Sequence, residues 1–359
     1  MGRLGEAPAH RDGLTAMNPQ ILAALVLFLL ASATPAAGPF ADLKKIPPGV
    51  LFGAYMDFGE TEDGVTLEGI EKFEAMVGKT PAIIASSSYW GEQSFPAKNL
   101  ALISRHGAVP LVFWSPWDKP YEQQKGPDRF SLTEILAGKW DSYIDSWADA
   151  AKEFGQPFFV SFCNEMNGSW FPWSGCFYGA ENGGNDVFKR TWRHVVDRVR
   201  ARGAHNIRWV FHVNAFPGIN DDWNLMASYY PGAAYVDWLG LSIYGKQFRS
   251  EGNWADFGDL LDWPYQEITA IDPDKPVMLA EFGVGEFPEA GDKAKWIRDA
   301  FAMIPGRPRI KAAVFWHERW QNADGSFSNL RINSSPDALK AFRAGVSSPL
   351  WIPSEQGKK

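Results

Sequence analysis

Cysteine is almost missing from this chain of 359 residues: only Cys163 and Cys176 occur. Neither lies in a CxxC or histidine-rich context, so no metal site is expected of them. They either bridge, tying a loop to its strand in an exported protein, or stand as free thiols. Basic clusters are also absent. With a net charge of -7 and a pI near 5.5, neither nucleic acid nor an anionic membrane is an expected partner. No GxGxxG follows the first strand-like run, which removes the usual dinucleotide signature, and no cofactor is expected. There is no internal repeat and no linker. The apolar run 21–33 is too short to span a bilayer comfortably and ends in small residues, Ala31-Ser32-Ala33 and Pro35-Ala36-Ala37. Residues 1–37 therefore read as an export signal, with Met17 as an alternative start. No cysteine follows that run, which argues against a lipid anchor. The expectation is a secreted or periplasmic protein with no stable membrane partner after cleavage.

Aromatic residues are what the chain has in quantity: 17 Trp, 25 Phe and 10 Tyr. About half of the tryptophans are expected to fill a core. The others, Trp90, Trp114, Trp117, Trp170, Trp173, Trp316 and Trp320, fall in expected rim loops, where flat apolar faces suit the C–H faces of sugar rings.

Strand-like runs occur at 51–58, 82–89, 109–114, 157–164, 207–214, 236–244, 276–281 and 310–316. Most are continuously apolar, as parallel strands covered on both faces are. Between them, helical spacing runs over 67–77, 132–154, 186–202 and 290–303, and Gly155, Gly203 and Gly306 supply stops. Leu67, Ile70, Phe73, Met76 and Val77 share one expected face. This alternation predicts an α/β fold, a single (β/α)8 TIM barrel over 40–350, with 351–359 as a C-terminal tail.

In such barrels the chemistry gathers at the C-terminal strand ends. Here those ends carry Asp57, Tyr89-Trp90, Trp114, Asn164-Glu165, His212-Val213-Asn214, Tyr244, Glu281 and Trp316-His317-Glu318, while the opposite ends begin blandly. Two apolar strands that stop at a carboxylate, Glu165 and Glu281, offer the acid and the nucleophile of glycoside hydrolysis. Aromatic neighbours Phe162, Trp170 and Phe171 would desolvate Glu165 and raise its pKa, as a general acid needs. The Tyr244 hydroxyl would hold a nucleophile ionised. His212 and Asn214 either bind sugar hydroxyls or, for His212, form a satisfied core. Asp57 and Trp114 read as distal sugar contacts or as packing, and Glu318 as structural or as an outer contact.

The run from Asn164 to Trp173, NEMNGSWFPW, resembles the acid/base signature of glycoside hydrolase family 26, the β-mannanase family of the large retaining (β/α)8 clan. The resemblance extends over roughly 48–345, through Glu281-Phe282-Gly283, the run 236–244 and Trp316. It implies Glu165 as acid/base, Glu281 as nucleophile, Tyr244 as the nucleophile's partner and Trp316 as platform for the cleaved sugar. Asn164 and Ser161 stand where the family has His and Arg. Asn-Glu is the wider clan's arrangement, in which the Asn touches the reacting sugar's 2-hydroxyl. With Trp170, Trp173, His212 and Trp114 added as binding residues, the expected partner is a poly- or oligosaccharide. The first expected substrate is β-1,4-mannan, and the alternative a 1,3-, 1,4- or mixed-linkage β-glucan. The alternative from another class is a catalytically silent carbohydrate-binding barrel, which would need neither Glu165 nor Glu281.

Overall fold

The computed structural model describes residues 48–120 and 126–354. The expected export signal over 1–37 lies outside them. Eight parallel strands follow one another in chain order: β1 (Val50–Tyr55), β2 (Ile83–Tyr89), β3 (Val109–Ser115), β4 (Phe158–Phe162), β5 (Ile207–Asn214), β6 (Trp238–Tyr244), β7 (Val277–Gly283) and β8 (Ile310–Trp316). Each pairs with the next, and β8 returns to β1 through a register running from Leu51↔Ala312 to Tyr55↔Trp316. The sheet is closed, so no edge is left among these eight strands. Their residues are almost entirely buried, which is why the sequence shows unbroken apolar runs.

Helices α1 (Leu67–Val77), α2 (Ala97–Arg105), α3 (Leu132–Leu136), α4 (Asp141–Phe154), α5 (Gly184–Ala201), α6 (Phe257–Ile271), α7 (Lys293–Met303) and α8 (Pro336–Val346) surround it. Helix α1 starts where Thr66 accepts from the Gly69 amide and ends at left-handed Gly78. It buries Ile70, Phe73 and Val77, whereas Leu67 points to solvent. The single helix expected over 132–154 is two, separated at Gly138, whose positive φ an uninterrupted helix does not adopt. The β5–β6 crossover holds only short 3₁₀ turns among the described residues.

A small antiparallel pair, β9 (Arg319–Gln321) with β10 (Phe327–Asn329), forms the loop after β8. The segment expected to be a tail from 351 instead packs: β11 (Trp351–Ile352) pairs with the start of β1, and Trp351 is buried. Lys79 Nζ donates to the Trp351 carbonyl at 2.6 Å, as well as to those of Val346 and Ser348, which ties this segment to the loop after α1. Both cysteines are free thiols, Cys163 buried and Cys176 half-buried, so the bridging alternative does not hold.

Candidate active site

Strand β4 ends at Phe162, earlier than the apolar run suggests. Cys163 and Glu165 both take left-handed backbone, with φ of 52° and 54°. Such backbone costs a non-glycine residue on the order of 1–2 kcal/mol, so it persists only where surrounding bonds hold it. Here the Glu165 amide donates to the His212 carbonyl on β5 at 2.8 Å, and the Gly168 amide donates to the Glu165 backbone carbonyl at 2.8 Å. The coil lifts the carboxylate over the barrel mouth, where Trp170 Nε1 donates to Oε2 and Asn214 Nδ2 to Oε1, each at 2.8 Å. Asn214 is itself fixed, since its amide donates to Asn167 Oδ1 at 2.9 Å and its carbonyl accepts from Asn167 Nδ2 at 2.8 Å.

Glu281 arrives by a bulge. Leu241 pairs with Leu279 but Ser242 with Glu281, and Leu279 pairs with Ala313 but Phe282 with Phe315. One extra residue therefore sits on β7 in both ladders, breaking the alternation just before the carboxylate and re-aiming it. Tyr244 donates to Glu281 Oε2 at 2.7 Å. Burial raises Tyr244 well above its ordinary pKa and the Glu281 charge adds to this, so the hydroxyl stays a donor. Glu165, His212 and Glu281 each bring one donor atom to within 4.8 Å of the others, so the two carboxylates face each other across a short gap. Burial lifts Glu165 above the ordinary carboxyl range, against its polar neighbours Ser242, Asn214 and Trp170. Burial also lifts Glu281 well above that range, and the Glu165 charge lifts it further. Two buried carboxylates this close titrate as a pair and retain one proton toward neutrality.

The trio of Glu165, His212 and Glu281 is also the one group with metal-ligand spacing among the described residues. Its donors are already engaged. His212 is fully buried, with Nδ1 bonded to Ser161 at 3.0 Å and Nε2 to Ser242 at 2.7 Å. Burial drops its pKa to about 3, so the ring is neutral and its 4.0 Å approach to Glu281 is no ion pair.

Trp316 lies parallel to Tyr55, ring centroids 4.1 Å apart, and its Nε1 donates to Glu318 at 2.7 Å. A cavity of about 1210 Å³ opens above the pair, lined among others by Asp57, Glu165, Trp170, Tyr244, Glu281 and Trp316. A smaller recess adjoins it, where Asn164 and Phe113 meet Glu281 and Trp316. So Glu165, Glu281, Asn164, Trp170, Tyr244 and Trp316 come together at one mouth.

Three expected binding residues do not line it. His212 lies against the two carboxylates but is fully buried and walled in by its two serines. Trp173 is buried, donating to the Asn164 carbonyl at 2.7 Å, and supports the loop from beneath. Trp114 is buried between barrel and helices, stacked on Trp147 at 4.0 Å, because side chains on alternate strand positions face the helices. Trp90 is fully buried beside it. Asp57 lines the cavity through a 2.8 Å bond from Arg331. Asn214, expected as a contact for sugar hydroxyls, is a partner of Glu165. One residue was not foreseen. Glu62, which accepts from Ser87 at 2.7 Å and lines both recesses, sits in a turn with no strand end to mark it.

Residues 129–304, which include both glutamates, match the family model described as glycosyl hydrolase family 26. The chain is 29% identical over 333 residues to Endoglucanase H of Acetivibrio thermocellus, covering 90% of this chain and 34% of that protein. It is 23% identical over 306 residues to the mannan endo-1,4-beta-mannosidase of Bacillus subtilis, covering 76% of each. The fold is that of the catalytic domain of a family 26 endo-beta-1,4-mannanase from Bacillus sp. JAMB-750, with a TM-score of 0.63 at 20% identity over 86% of this chain and 90% of that one. The chain thus spans only about a third of the length of the first of these relatives.

Proposed function

We propose that the chain, which is similar to the family 26 glycoside hydrolases, is an endo-acting β-glycosidase that retains anomeric configuration. The observation that carries this is the approach of the Glu165 and Glu281 oxygens to within 4.8 Å. Retaining enzymes hold their carboxyls about 5–5.5 Å apart, and inverting ones need about 6.5–9.5 Å to admit a water. In the first step one Glu281 oxygen bonds to the anomeric carbon while Glu165 passes its proton to the departing glycosidic oxygen. In the second, Glu165 takes a proton from water, which attacks the same carbon and releases Glu281. Tyr244 holds the other nucleophile oxygen throughout. Asn164 lines the recess with Glu281, which supports the clan's role for it, contact with the 2-hydroxyl of the reacting sugar. A cleft with an open aromatic rim fits successive sugars better than a single terminal unit.

For the polymer, a β-glucan stands ahead of the β-1,4-mannan that the motif resemblance implies. Asn164 replaces the family histidine, and the relative matched over 90% of this chain is named an endoglucanase, against 76% for the relative named a mannan endo-1,4-beta-mannosidase. Reducing-sugar release from lichenan, laminarin, mannan and xylan decides this: highest rates on a glucan support the reading, and mannan alone would reverse it. The proposal includes export, resting on the 21–37 pattern; N-terminal sequencing of protein recovered outside the cytoplasm tests it.

The pair also sets a pH response. Activity needs Glu281 ionised while Glu165 keeps its proton, so kcat/KM should fall on the acid side as Glu281 gains a proton and on the alkaline side as Glu165 loses its own. Glu165→Gln has no proton to lose, so on an activated aryl glycoside the alkaline limb should disappear while the acid limb remains. An alkaline limb that persists in Glu165→Gln would mean that it reports another group.

A further inference from the structure

Three large aromatic rings are left exposed on the Glu165 side of the cleft: Trp170 at 44%, Phe216 at 42% and Trp263 at 49%. They form a sequence in space. Trp170 bonds to Glu165, and Phe216 lies two residues beyond Asn214, the other partner of Glu165. Both rings line the cleft, as does Leu260 of α6. Trp263, on the same helix, continues outward from Phe216, with ring centroids 6.3 Å apart and planes within 20°. Both rings remain more than two-fifths exposed in this arrangement, so each keeps apolar surface open to a ligand.

The platform is held in place. The Phe216 amide donates to Asn214 Oδ1 at 3.0 Å and the Gly218 amide to the Asn167 carbonyl at 2.9 Å. A Cβ at Gly218 would meet the Ser169 amide nitrogen at 2.7 Å, so the Phe216 loop and the Glu165 loop pack as closely as glycine permits.

We propose that Phe216 and Trp263 form a distal binding platform for the leaving-group end of the polysaccharide, stacking β-linked sugar rings beyond the one Glu165 protonates. This rests on the function proposed above, because the acid must stand beside the leaving group, so that the wall carrying Glu165 faces that end of the chain. Continuity with the cleft identifies the occupant. Two near-parallel rings with open faces match the C–H faces of a sugar chain.

The test compares wild type with Phe216→Ala, Trp263→Ala and the double variant. On aryl glycosides, whose leaving group ends before the platform, kcat/KM should stay within about twofold of wild type. On the preferred polymer and on long oligosaccharides the double variant should fall roughly fivefold to tenfold, mostly through KM. In a Glu281→Ala background, migration through gels containing the soluble polysaccharide should be retarded less when Trp263 is truncated. Equal polymer kinetics and equal retardation would overturn the platform, as would an equal loss on aryl glycosides. If Trp263→Ala instead changes the oligomeric state by sedimentation while polymer kinetics hold, the face is a self-association patch and the proposal falls. Should the wild type cleave no β-glycan, the functional reading fails, and the gel comparison still decides whether the rings bind one.

Discussion

Glu281→Ala should lose turnover on every β-glycoside, activated or not, because no other group can form the bond to the anomeric carbon. Tyr244 and Asn164 stay in place around the gap but bring no carboxylate, so the first step has no nucleophile. Glu165→Ala is expected to behave differently. Removing a general acid costs roughly 10²–10⁴-fold where the leaving group needs the proton and little where it does not. The variant should therefore fail on the polymer yet still release an activated phenol, and then stall because water lacks its base. Azide, which needs no base, should restore turnover and yield a β-glycosyl azide. The measurement is kcat and kcat/KM for both variants across a series of aryl glycosides of graded leaving-group pKa, with and without azide. If both depend on the leaving group identically, the roles of acid and nucleophile are misassigned.

Much of this architecture was legible because two signals agreed. The eight unbroken apolar runs and the helical spacing between them both follow from parallel strands covered on each face, and the closed sheet bears them out. Both proposed catalytic glutamates were legible for the same reason, as charges ending apolar strands. What the strand-end rule could not supply was orientation. It treated Trp114 and Trp316 alike, as aromatics closing a strand, although one faces Trp147 on the helix layer and the other the cleft. Period-two alternation settles which is which only once register is known, and the bulge on β7 shifts that register near Glu281. His212 was ambiguous because its partners, Ser161 and Ser242, come from neighbouring strands far away in sequence. Glu62 had no signal at all, because it enters the site from a turn. The two-residue strand β11 is a similar case: nothing in the segment after Pro349 announces that Trp351 and Ile352 will pair with β1.

Trp316→Ala should lower kcat/KM on the polymer by roughly tenfold or more, and it should also destabilise the protein. The first effect follows from the ring's place in both recesses beside Glu281, where it offers one face to the sugar under attack. Losing a stacking face costs about 0.5–1.5 kcal/mol beyond area burial, and a tenfold rate loss corresponds to about 1.4 kcal/mol. The second effect follows from its 6% exposure: Tyr55 covers the other face at 4.1 Å and Phe113 packs at 5.7 Å. A fully enclosed tryptophan costs about 3–5 kcal/mol on truncation. Here the vacated space opens onto the cleft and can fill with water, so the loss should fall below that range. Glu318 adds to it, because its carboxyl, pushed up to about 8 chiefly by burial, loses the indole donor that pulls it down. Trp316→Phe separates the two roles, keeping an aromatic face while removing the N–H. It should recover much of the kcat/KM but little of the Glu318 contact. Thermal melts together with kcat/KM normalised to folded protein check this. If folded Trp316→Ala turns over normally, the ring is packing for Tyr55 and the sugar rests elsewhere.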